Sequence, residues 1–95
     1  MSEVIGHAVE ALNTKLSGSF DGSAKSVIEG EGAIMLDGDG VREGDEEADV
    51  TLTADTDTFR AILDGDLNPT SAFMSGKLQV AGDMGMAMKL GGVLG

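Results

Sequence analysis

Apolar positions recur along this chain in two rhythms. The first run, Val4, Ile5, Ala8, Val9, Leu12 and Leu16, follows a helical repeat, with Ser2 placed to cap it, and stops before "SGS". Short segments follow. "AKSVIEG" and "GAIMLDG" read as strands joined by a hairpin at Glu29-Gly30-Glu31-Gly32. "DGDG", residues 37–40, is a second turn into a short third strand around Val41, and "REGDEE" is a solvated loop. In "ADVTLTA" Val50 and Leu52 alternate with Thr51 and Thr53, the pattern of a half-buried fourth strand.

Asp55 then caps a second helix, "TDTFRAILDG", with Phe59, Ile62 and Leu63 inward and Gly65 closing it. Asn68 and Pro69 open a short third helix, since Pro suits the first helical position. "GKLQVAG" reads as a fifth strand with Leu78 and Val80 on one side, and a last helix starts at Asp83. Three meandering strands, a fourth, two helices, a strand and a helix predict an α+β fold. Its mostly antiparallel sheet of five strands is covered on one face by helices.

The last helix stands out. Projection of residues 83–94 puts Met84, Ala87, Met88 and Gly91 on one face and Met86, Leu90 and Val93 on the other. A helix apolar all round must be covered all round. The sheet can cover one face. The other falls to ordinary core filling, a partner subunit, a membrane surface or a bound apolar molecule. Methionine suits the last, because its flexible, polarisable side chain adapts to varied partners.

Length and charge narrow the picture. The 95 residues make one domain, 1–95, with one modest core. Net charge is −11, which argues against nucleic acid and equally against steady attachment to anionic lipid. Residues 1–66 hold sixteen acids and four bases, net −12, whereas residues 67–95 hold Asp83, Lys77 and Lys89, net +1. Solubility accounts for the acids; offsetting an exposed apolar half is a compatible reading. No apolar run nears the ~20 residues that span a bilayer. The N-terminus lacks the pattern of a signal peptide, so a cytoplasmic location is expected.

Catalytic patterns fail one by one. There is no cysteine, and His7 is the one histidine, so neither a thiolate nor a histidine pair exists to hold metal. "DGDGVREGDEEA" resembles a calcium loop only at its start. Val41, Arg42 and Ala48 occupy positions that need an oxygen ligand, a glycine and a bidentate acid. Gly30 and Gly32 begin a dinucleotide fingerprint whose third glycine would fall on Met35. No enzyme activity, cofactor or metal is expected.

The stretch "NPTSAFMSGKLQVAGDMGMAMKL", residues 68–90, resembles the signature of the sterol carrier protein 2 family. An Asn-Pro turn, an Ala-Phe pair, a Gly-Lys-Leu strand, a Gly-Asp-Met-Gly turn and an Ala-Met-Lys-Leu helix stand in the family's order and spacing. "ADVTLTADTDTF" is similar to its strand, cap and helix segment. The resemblance implies an apolar tunnel between sheet and helices, and binding, with transfer in view, of fatty acids, fatty acyl-CoA, sterols or isoprenoids. Residues assigned to that cavity are Phe59, Ile62, Leu63, Phe73, Met74, Leu78, Val80, Met84, Met86, Met88 and Leu90. Lys77 and Lys89 read as snorkelling surface lysines or as contacts for an acidic head group. The competing reading is a scaffold module, homodimeric or bound to another protein, whose partner covers the C-terminal helix.

Overall fold

The computed structural model describes residues 3–16 and 22–94. Ser2 and Phe20 lie outside the described residues, as do the side chains of Leu16 and Val93. The elements run α1 (Glu3–Leu16), β1 (Ala24–Ile28), β2 (Gly32–Asp37), β3 (Gly40–Glu43), β4 (Val50–Ala54), α2 (Thr56–Asp64), α3 (Pro69–Met74), β5 (Gln79–Gly82) and α4 (Met84–Leu94). The five strands form one open sheet in the order β3-β2-β1-β4-β5. Three of the pairings are antiparallel, and β1 with β4 is parallel. The α+β architecture expected from the pattern is the one observed.

Side chains alternate across the pleat, so register assigns each face. Ala24, Ser26 and Ile28 of β1 share a face with Ile34 and Leu36 of β2 and with Val50, Leu52 and Ala54 of β4. On this face α1 contributes Ile5, Ala8 and Leu12, spaced for one side of a helix, and α4 contributes Leu90. Phe59, Ile62, Ala72 and Leu78 complete the core.

The sheet's reverse face is also covered in part. The parallel β1–β4 pair forces residues 44–49 to cross from β3, at one edge, past β2 and β1. Gly44 donates its N–H to Ala33 O at 3.0 Å, and Lys25 Nζ meets Asp45 Oδ1 at 2.8 Å. Met35, on the reverse face, is buried beside this crossing. That explains why "AIML" is buried at every position instead of alternating.

The acidic turn at 37–40 is closed by its own ion pair. The Arg42 guanidinium donates to both Asp37 carboxylate oxygens at 3.0 Å, which holds that carboxyl below the usual carboxylate range and pushes the guanidinium up. Asp37 Oδ1 also accepts the Asp39 N–H at 2.9 Å.

Two positions generate predictions. Gly82 adopts φ 99° opposite Val50, and a Cβ there would overlap the Asp49 carbonyl oxygen and sit 3.1 Å from Val50 Cα. The same carbonyl accepts the Asp83 N–H at 2.8 Å, so the β5–α4 junction is anchored by close backbone approach. Gly82→Ala should destabilise by about 1–3 kcal/mol from its φ alone, and more from the overlap. An unchanged thermal midpoint would refute this. Ser26 lies on the core face between Ile34 and Leu52, wholly buried, and its Oγ has no hydrogen-bond partner among the described residues. Removing an unsatisfied buried hydroxyl relieves its desolvation cost. Ser26→Ala is therefore expected to stabilise by about 1 kcal/mol in denaturant titration; a loss of stability would show that the hydroxyl is bonded.

Candidate functional site: an apolar groove between α3, β5 and α4

Local capping builds the groove. Asn68 Oδ1 accepts the N–H of Thr70 at 2.8 Å and of Ser71 at 3.3 Å, with Pro69 at the first helical position. These bonds satisfy donors that a six-residue helix cannot satisfy itself. Gly76, at φ 82°, ends the segment and turns the chain back. Ala72 O then accepts the N–H groups of Lys77 at 2.9 Å and Leu78 at 3.1 Å. Leu78 is thus fixed against α3 before the strand begins. The fifth strand starts at Gln79, later than the alternation of Leu78 and Val80 predicts. Asp83 Oδ1 accepts the Met86 N–H at 3.2 Å and its carbonyl accepts the Ala87 N–H at 3.0 Å, which starts α4 where expected.

α4 separates its two faces as the projection predicts. Leu90 is 0% exposed, and Met86 packs against the core. Met84, Ala87, Met88 and Gly91 line a groove of about 330 Å³, Ala87 packing against the core as well. Its other walls are Pro69, Thr70, Phe73 and Met74 of α3, Leu78, Val80 of β5 and Leu52 of β4. Thr70 supplies the one polar side chain of the lining, and none of the lining is titratable. Met74 is 81% and Met88 77% exposed at its mouth. The volume falls near the lower end of small-molecule pockets, ~300–1,000 Å³.

The structure therefore brings Phe73, Met74, Leu78, Val80, Met84 and Met88 together. Of the residues expected to line a cavity, Phe59, Ile62, Leu78 and Leu90 are buried in the core, and Leu63, Val80 and Met86 pack against it. Phe59 and Leu63 line a different groove of about 400 Å³ between α1 and α2, with Val4, Ala8, Ala11 and Ile28, and with His7, Thr56, Arg60 and Asp64 as its polar members. Sequence reasoning missed this second groove. Its members come from helices far apart in the chain, and no local spacing ties His7 to Arg60. Ala87, Gly91 and Leu52 line the groove without belonging to the expected cavity. The first two stood on the correct helical face, so their signal was present.

Polar chemistry lies outside the first groove. Asp55 Oδ1 caps α2 by accepting the Thr58 N–H at 2.7 Å. That bond holds its carboxyl below the usual range, and Lys77 adds to the effect. Lys77 and Lys89 are exposed and absent from the lining. Among the described residues no cluster of three or more His, Asp or Glu is arranged to hold a metal ion, and no helix is long and apolar enough to cross a membrane.

A family model described as the SCP-2 sterol transfer family matches residues 12–95. The hydroxysteroid dehydrogenase-like protein 2 of Xenopus tropicalis is 39% identical over 97 residues, covering 93% of this chain but 23% of that protein. This chain thus spans less than a quarter of that relative. The crystal structure of sterol carrier protein 2 like 2 from Aedes aegypti matches with a TM-score of 0.79 over 95% of each chain at 23% identity, a likeness of fold. Palmitated SCP2L2 from Aedes aegypti, solved in solution, matches with a TM-score of 0.70 at 26% identity, over 99% of this chain and 95% of that one.

The dependence of the groove on one side-chain cap is testable. Asn68→Ala should cost about 0.5–2 kcal/mol, or roughly 4–8 °C per kcal/mol in a thermal melt. It should also loosen the wall formed by Phe73 and Met74, read as faster amide exchange across residues 70–78. Unchanged exchange there would mean that packing, not capping, holds α3.

Proposed function

This chain belongs to the SCP-2 sterol transfer family, and on that premise we propose that it binds the apolar chain of a lipid in the groove between α3, β5 and α4. The reading is carried by one observation: a groove of about 330 Å³ whose lining is apolar except for Thr70. Such a lining offers a chain no hydrogen-bond pattern to match, and takes its free energy from burial. Each buried methylene contributes ~0.8 kcal/mol, so about ten supply ~8 kcal/mol before ordering costs of several kcal/mol. Micromolar or weaker affinity follows.

Phe73, Met74, Leu78, Val80, Met84 and Met88 are the proposed contacts. Met86 and Leu90 hold the opposite side of α4 against the core, and so support the groove from behind, while Ile62 belongs to the core under α2. Phe59 and Leu63 would reach a ligand that extends towards α1. Fatty acids are the first class to test, because a palmitated relative shares the fold. Acyl-CoA, sterols and isoprenoids fit the same physical requirement. With no titratable group in the lining, binding without chemical change is the expected activity.

Titration of monomeric protein with a fluorescent fatty acid, below its micelle concentration, should show saturable one-to-one binding with a dissociation constant between about 1 μM and 1 mM. A flat response from folded, lipid-free protein would overturn the proposal. Two substitutions sharpen it. Val50 is wholly buried in the sheet, so Val50→Glu should unfold the protein or lower its thermal midpoint severely. Met88 is largely exposed, so Met88→Glu should leave the melt nearly unchanged and weaken fatty-acid binding at least tenfold. Equal destabilisation would return Met88 to the core, and a changed oligomeric mass would favour a partner subunit.

A further inference from the structure

Among the described residues, the large hydrophobic side chains that stand exposed are Phe73, Met74, Met84 and Met88, and all four border one groove. An exposed apolar patch around a groove mouth marks a surface that meets something less polar than water. We propose that this face is where the protein touches a lipid bilayer of low surface charge, such as a phosphatidylcholine membrane.

Charge distribution selects this occupant. The segment that builds the face, residues 67–95, carries Lys77, Lys89 and Asp83, whereas residues 1–66 are net −12. Asp83, which caps α4 through its Oδ1, offsets one of the two lysines, so the segment that builds the face is net +1 and close to neutral. The rest of the molecule, 31 × 29 × 22 Å in extent, is strongly acidic. An anionic bilayer attracts neither part, and repels the acidic body whenever screening is weak. A zwitterionic bilayer removes that repulsion. Its interface takes long apolar side chains and lysine stems without demanding shape complementarity, which suits a patch made mainly of methionines. Continuity adds the remaining argument and rests on the proposed ligand site: a chain leaving the groove here passes into a membrane without crossing water.

Ionic strength gives a signature. The Debye length is about 30 Å at 0.01 M salt and about 8 Å at 0.15 M. At the lower value the whole acidic body senses an anionic surface; at the higher one, only the docking face and its nearest charges do. Ligand-free protein should co-sediment with phosphatidylcholine vesicles at both salt concentrations. With vesicles containing 30% phosphatidylserine, association should be weak at 0.01 M and recover severalfold at 0.15 M. Met74→Glu should reduce association with phosphatidylcholine at least tenfold, with an unchanged melt, since Met74 is so exposed. Gln79→Glu adds the same charge at an exposed position that alternates with Val80 on β5, and should change association less than twofold. No association with phosphatidylcholine, equal loss in both variants, or a dimer abolished by Met74→Glu would overturn the inference. Fatty-acid titration in vesicle-free solution reports separately on the ligand site. Binding without vesicle association defeats this inference alone, and vesicle association without binding defeats the ligand reading alone.

Discussion

Leu90 has no water beside it, while Met88, two residues earlier on the same helix, is mostly in water. α4 must anchor one apolar side in the core and leave a second apolar side without cover. A sheet covers only the side of a helix laid on it. With β5 as the edge strand and α3 only six residues long, no further element among the described residues covers the outer side of α4. The groove is what remains when a helix apolar all round is placed at the margin of a small domain.

The devices that hold α4 at that margin are local and backbone-based. Asp49 O reaches the Asp83 N–H, Gly82 permits the approach, and Ala72 O holds Leu78 against α3. None of these bonds uses an apolar side chain from the groove. The frame can therefore stay rigid while the methionines on it change rotamer. Rearranging an unbranched side chain costs far less than moving packed backbone, so the proposed site could adapt to ligands of different shape without disturbing its frame.

Most of the local structure was legible in the sequence. Asp55 and Asn68-Pro69 announce their helices by capping chemistry, Gly65 ends α2 in the left-handed region, and the two faces of α4 follow from spacing alone. These features depend on residues within one turn of each other. What stayed hidden depends on distant pairing. Nothing near Val50 indicates that β4 lies parallel beside β1, and so nothing near Gly44 indicates that the following segment crosses the reverse face over Met35. The groove between α1 and α2 is hidden for the same reason. Leu78 is an intermediate case: its side was readable from alternation with Val80, but a carbonyl of α3, not the strand, fixes it. Of the residues assigned to the cavity, those on the outer side of α4 and on α3 border the groove, and Ile62 and Leu90 lie in the core. Periodicity names the apolar residues of a helix but not the one stripe that tertiary packing leaves open.

An apolar lining with a single hydroxyl has a consequence for selectivity. A site that hydrogen-bonds its ligand rejects analogues strongly, because a mismatch leaves buried polar groups unpaired, whereas an apolar pocket gains or loses only a little per methylene. A ligand bound there as proposed would be discriminated by length and girth, not by functional group. Lys77 and Lys89, next in the chain to residues of the lining, stand exposed outside it, where salt screens them. Head-group preference should therefore be shallow, and chain preference should follow how much apolar surface between Phe73 and Met88 a given ligand covers. The same physics explains why exposed methionines are tolerated here. Each costs little stability where it stands, and together they offer an adaptable surface that a rigid, fully closed core could not.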